Sequence, residues 1–108
     1  MMVMVSDMRC LFLCAALPVL MAVPPAAAAD VAKGGIIAKR WCAACHLVSL
    51  EQTKGNSDAP SFASIARKKP TSKALSAFLT DPHPKMPDMN LTRDEIADIV
   101  AYIKGLDR

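Results

Sequence analysis

Two cysteines separated by two residues and followed at once by a histidine, Cys42-Ala43-Ala44-Cys45-His46, constrain this chain more than any other stretch. The C-x-x-C-H pattern is that of covalent haem attachment. Each thiol adds across a vinyl group of the ring to give a thioether. Two intervening residues set the sulfurs one helical turn apart, which matches the two vinyls and leaves His46 under the ring to ligate iron. The same residues occur in thioredoxin-like dithiols and as half of a zinc site. A dithiol site needs a βαβ context, and no strand-rich pattern surrounds the motif. A four-ligand zinc site needs a second pair of donors, and beyond the N-terminal region the only other histidine or cysteine is His83.

The N-terminal region reads as a cleavable secretory signal. Arg9 precedes a largely apolar run from Cys10 to Val23, followed by Pro24-Pro25-Ala26-Ala27-Ala28-Ala29-Asp30, an A-x-A cleavage pattern. The run is short for the ~20 residues of a membrane span, and Pro18 interrupts it. Residues 1–29 are therefore expected to be a leader and residues 30–108 a single domain. Removing 29 of 108 residues leaves 79. Cys10 and Cys14 leave with the leader, so the two motif cysteines remain and nothing is left to form a structural disulfide. Bulky Leu13 before Cys14 argues against lipidation. Of 13 bases and 10 acids the leader takes Arg9 and Asp7, so 12 less 9 gives +3, which two haem propionates would bring near neutrality. That balance argues against a nucleic-acid partner. A domain of this size is close to the limit at which a core suffices by itself. Its aromatics are Trp41, Phe62, Phe78 and Tyr102, so a haem would be the largest apolar object in it.

Capping and periodicity predict four helices. Asp30 caps a first helix that runs to about Cys42. Gly34 and Gly35 weaken that helix by about 1 kcal/mol each relative to Ala. Their presence points to close approach by another helix, with Gly34 and Ala38 on one face, although surface glycines can also occur by chance. Leu47 to Ala59 is loop-like, with turn residues Gly55-Asn56-Ser57-Asp58. Pro60 is expected to start a short helix with Phe62, Ile65 and Ala66 inward, closed by Arg67-Lys68-Lys69-Pro70. Thr71 caps a third helix with Ala74, Leu75, Phe78 and Leu79 on one stripe. Asp81 to Pro87 holds three prolines and is a stiff extended loop. In the last helix Thr92 and Glu95 form a capping box. Ile96, Ile99, Val100 and Ile103 fall at i, i+3, i+4 and i+7, and Gly105 ends it.

From Asp30 to Arg108 the sequence resembles the small bacterial class I c-type cytochromes. The resemblance rests on Gly34 eight residues before the first motif cysteine, Cys42-Ala43-Ala44-Cys45-His46, Met86-Pro87 about forty residues on, and Asp94-Glu95-Ile96 leading to Tyr102-Ile103. It implies an all-α fold of about four helices around one covalently bound haem c, with the N- and C-terminal helices crossing at Gly34 and Tyr102. It also implies that the carbonyl of Pro60 accepts a hydrogen bond from His46, fixing its tautomer. The second axial position needs a soft or imidazole donor, and His83, Met86 and Met89 are the candidates. The resemblance selects Met86, which lies between Lys85 and Pro87. Met89 then fills a gap in the packing, and His83 is a loop imidazole. Trp41 and Phe62 read as plain core packing.

The expected function is that of a periplasmic, monomeric, monohaem carrier of single electrons, with His46 and Met86 as iron ligands and no catalytic residues. Its partners would be redox proteins, a dehydrogenase or bc1-type donor and an oxidase or reductase acceptor. A filled coordination sphere leaves no position for a substrate. One alternative is a five-coordinate haem protein that binds a gas or peroxide. Another is a dedicated cytochrome subunit of a dehydrogenase or oxidase complex. Lys39, Lys68, Lys69, Lys73 and Lys85 could surround an exposed haem edge and steer an acidic partner, or could simply be solvated helix ends.

Overall fold

The carboxylate of Asp30 accepts the backbone N–H of Lys33 at 3.1 Å and so opens the first helix, α1 (Val31–Ile37). In this computed structural model residues 21–22, 27–82 and 85–107 are described, so most of the expected leader, together with His83, Pro84 and Arg108, lies outside the described residues. The expected helix continues to Cys42, but its pitch changes. Ala38–Cys42 forms a π-helical turn closed by the N–H of Ala43 on the carbonyl of Ala38 at 3.1 Å. A wide turn lets a helix change register between two fixed segments. Here α1 is fixed on the last helix by its glycines, while Cys42 at the far end is directed into the core.

The second helix, α2 (Phe62–Arg67), begins two residues later than Pro60 would place it. Ser61 is the N-cap and accepts from the N–H of Ser64 at 3.1 Å. Pro60 stands just outside the helix, where its carbonyl is available to another partner. Phe62 and Ala66 are buried and Ile65 half-buried, as the pattern predicts. In α3 (Ser72–Thr80), Thr71 caps through the N–H of Ala74 at 3.1 Å. The inward edge of α3 is narrower than the expected stripe. Leu75 and Leu79 pack on the core, whereas Ala74 and Phe78 lie on the neighbouring edge and are exposed. The fourth helix, α4 (Arg93–Lys104), carries the expected capping box, with Thr92 and Glu95 bonded reciprocally at 2.8 and 3.2 Å. Gly105 ends it with φ −69°, so its left-handed freedom is not used; the chain turns back instead through the N–H of Leu106 on Ile103.

No strand is present among the described residues, and the architecture is all-α. Its central joint is the crossing of α1 and α4. A Cβ on Gly34 would stand 2.0 Å from the carbonyl oxygen of Asp98, so the helix backbones meet there with no room for a side chain. Gly35, the other glycine expected to mark a close approach, faces the ring of Tyr102. Around the crossing Ala38, Cys42, Val48, Phe62, Ala66, Leu79, Ile96, Ile99, Val100 and Ile103 form one buried cluster. The π-helical turn, α2, α3 and α4 contribute to it, as does Val48 from the loop that follows the C-x-x-C-H motif, and Ile37 of α1 packs against it.

Candidate functional site

The motif forms the turn that follows the π-helical segment. The N–H groups of Cys45 and His46 both reach the carbonyl of Cys42, at 3.2 and 2.9 Å. Cys42 thereby ends inside the core while Cys45 stays exposed, and no disulfide joins the two. The side chain of His46 is held from two directions. Its Nδ1 lies 2.6 Å from the carbonyl oxygen of Pro60. A carbonyl can only accept, so Nδ1 carries the proton and Nε2 keeps the free lone pair. The ring of Phe62 packs against the imidazole at a centroid distance of 5.4 Å, and the N–H of Phe62 bonds the carbonyl of Leu47 at 2.9 Å. The start of α2 is therefore sewn to the residues flanking the histidine.

Gln52 organises the loop between, a role the sequence reading missed. Its Oε1 accepts the N–H of Val48 at 3.0 Å. Its Nε2 lies 2.9 Å from the carbonyl of Ala43 and 2.8 Å from those of His46 and Lys54. The other backbone polar group of buried Val48, its carbonyl, accepts from the hydroxyl of Tyr102 at 2.5 Å. A buried loop residue outside any helix needs partners for both groups, and two side chains supply them. No local signal marks Gln52, since its partners come together only when the loop closes.

These residues fit a covalently held haem. Burial pushes the Cys42 thiol up from its ordinary pKa, keeping it neutral, so a neutral, apolar thioether suits the same place. The fixed tautomer of His46 leaves one imidazole nitrogen free to donate to iron. Among the described residues no three of His, Cys, Asp and Glu come together as a metal-ion cluster. Met86 is half-buried and packs against the core cluster. Met89 is half-buried in the extended stretch ahead of Asn90, which has φ 50° and bonds the Asp88 carboxylate through its N–H at 2.9 Å. His83 lies outside the described residues.

Trp41 departs from the core role expected of it. It is 55% exposed and the guanidinium of Arg40 sits 5.2 Å from its ring centroid, a cation–π contact. The neighbouring inward position is taken by Cys42, which turns Trp41 outward. Phe62 is buried as expected. Lys39, Lys68, Lys69, Lys73 and Lys85 are all exposed. Lys104 joins Lys69 at a shallow groove that also includes Ala66, Pro70 and Asp107, and its Nζ donates to Ser72 at 3.2 Å.

Residues 29–103 match the family described as cytochrome c oxidase, cbb3-type, subunit III. The chain is also similar to cytochrome c-552 of Bradyrhizobium diazoefficiens, with 48% identity over 95 residues, covering 87% of this chain and 91% of that protein. No solved structure matches it.

Proposed function

The chain belongs to the small monohaem c-type cytochromes, and from that premise we propose that it carries single electrons in the periplasm with His46 and Met86 as the two iron ligands. Haem, when bound, supplies the one-electron couple of its iron. Cys42 and Cys45 hold the ring by thioether links, one sulfur anchored in the core and the other at the surface. Pro60 and Phe62 keep the imidazole of His46 from rotating, so Nε2 stays directed while the electron moves. The buried cluster excludes water from one side of the site and limits reorganisation.

The observation that carries the ligand assignment is the packing of Met86 against the core, which holds its thioether in place ahead of Pro87. A thioether favours ferrous over ferric iron and raises the reduction potential, as an electron carrier requires. The exposed lysines would speed encounter with an acidic redox partner by steering it.

Met86→Ala tests the reading. Wild-type ferric protein should be low-spin with the weak charge-transfer band of a thioether–iron bond. The variant should lose that band, fall in potential and bind carbon monoxide readily once reduced, while Met89→Ala and His83→Ala leave all three properties nearly intact. A high-spin wild type that binds carbon monoxide freely would replace the carrier with the gas-binding or peroxidatic alternative. Loss of the band in Met89→Ala alone would move the ligand three residues along.

A further inference from the structure

We infer that the peptide bond between Ala29 and Asp30 is a proteolytic processing site, and that cutting it creates an ion pair between the new α-ammonium of Asp30 and the carboxylate of Asp98. The inference rests on the export proposed above and on the leader boundary expected from the sequence, and goes beyond both in giving the new terminus a structural task. Ala27, Ala28 and Ala29 are exposed and belong to no helix, so the folded domain makes no use of them. Ala29 and Ala27 supply the small residues that an export peptidase reads one and three positions before its cut. Structure begins at the next residue. Asp30 is half-buried and caps α1, and its backbone nitrogen lies 2.6 Å from Oδ1 of Asp98.

The charges around this nitrogen explain what the cut supplies. The crossing sets the Asp98 carboxylate, on α4, against the backbone of Asp30, the N-cap of α1. Lys33, with its Nζ 4.0 Å from the Asp30 carboxylate and largely exposed, pairs with Asp30. In the uncut chain Asp98 accepts from a neutral amide. Hydrolysis breaks the C–N bond. Water gives its hydroxyl to the Ala29 carbonyl and a proton to the Asp30 nitrogen, and the resulting amine takes a second proton from solvent. A cation then stands at hydrogen-bond distance from Asp98, in the partly buried setting where charge-assisted bonds are strongest. The bond lies one turn of α1 from Gly34, where α1 touches the Asp98 carbonyl. The backbone and side chain of Asp98 thus grip the first turn of α1 together.

The test begins with the full chain produced in a host that exports it and attaches haem. Intact mass should correspond to residues 30–108 plus one haem, and a product keeping any residue before Asp30, or beginning after it, overturns the inference. Asp98→Asn is then compared in two holoproteins, one beginning at Asp30 and one keeping Ala29 behind a substituted leader. The substitution should raise the unfolding equilibrium constant about tenfold in the first, as expected for a charge-assisted bond, and less than about threefold in the second. Equal effects would show that the amide and the ammonium are equivalent there. Mass reports the cut whether or not the iron is six-coordinate, so failure of the electron-carrier reading would be seen separately, in the spectra.

Discussion

Nδ1 of His46 and the carbonyl oxygen of Pro60 lie 2.6 Å apart across fourteen residues of sequence. Pro60 can offer that carbonyl because α2 starts at Phe62, capped by Ser61, and so does not need it. The proline ring fixes φ and so reduces the backbone freedom of the residue that carries this oxygen.

Pro60→Ala should loosen this bond without removing the carbonyl. A weaker bond makes the imidazole a poorer donor to iron, which destabilises the ferric state and raises the potential. A neutral hydrogen bond is worth about 1 kcal/mol, which at about 59 mV per tenfold for one electron limits the rise to roughly 40 mV. Voltammetry on the purified holoprotein measures it. A fall in potential would contradict the role assigned to Pro60.

Gln52→Ala should destabilise the holoprotein by about 1–3 kcal/mol, because the N–H of Val48 and the carbonyls around Nε2 lose a partly buried partner. Gln52→Glu should be worse than Gln52→Ala, since it sets a carboxylate against carbonyl oxygens. Urea unfolding followed by haem absorbance gives the order, and the reverse order would show that the loop closes by other means.

Gly34→Ala and Gly35→Ala, adjacent and chemically identical changes, should diverge. At Gly34 the new methyl meets the backbone of Asp98, which cannot give way unless α4 moves, and the cost should be about 3 kcal/mol or more. At Gly35 it would lie 3.0 Å from the edge of the Tyr102 ring, a side chain with some freedom to shift. The gain in helix propensity of up to about 1 kcal/mol offsets much of the strain there. Thermal unfolding of the two holoproteins should rank Gly34→Ala far below Gly35→Ala.

Stability should also depend on pH at the alkaline end through Tyr102. Burial first, and then the negative charge of Glu51, raise its hydroxyl above the ordinary value. A group whose pKa is raised on folding contributes stability that is complete below the unfolded pKa, about 10, and is lost as pH rises through the folded value. Tyr102→Phe should lose about 0.5–1.5 kcal/mol at neutral pH with the bond to Val48, and should show a shallower decline in stability above about pH 10. Denaturant midpoints measured from pH 7 upward test both.

What could be read from the sequence was local in origin. The caps at Asp30, Thr71 and Thr92, the stripe of α4 and the C-x-x-C-H turn each depend on residues within a few positions of one another, and each stands as expected. The partnership of His46 and Pro60 spans a loop and came only through resemblance to a family. Gln52 stayed hidden because a glutamine in a polar loop looks the same whether or not four backbone groups converge on it. Trp41 and Phe78 were misplaced for another reason. Periodicity ranks residues by apolar character, but in this fold a wide π-helical turn and a narrow contact edge decide which of two neighbours faces inward.

Tyr102 lays its ring on Gly35 in α1 and its hydroxyl on Val48 in the loop, while its backbone belongs to α4. One residue thus joins the helix that leads into the cysteines, the segment that follows them, and the far end of the chain. Withdrawing Val48 from the core therefore breaks a bond to the residue that also lines the helix crossing, so the anchor of this loop and the packing of α1 on α4 are lost together. Hydrogen exchange at the Val48 amide should therefore keep pace with that of the buried face of α4, while the exposed residues 53–58 exchange faster.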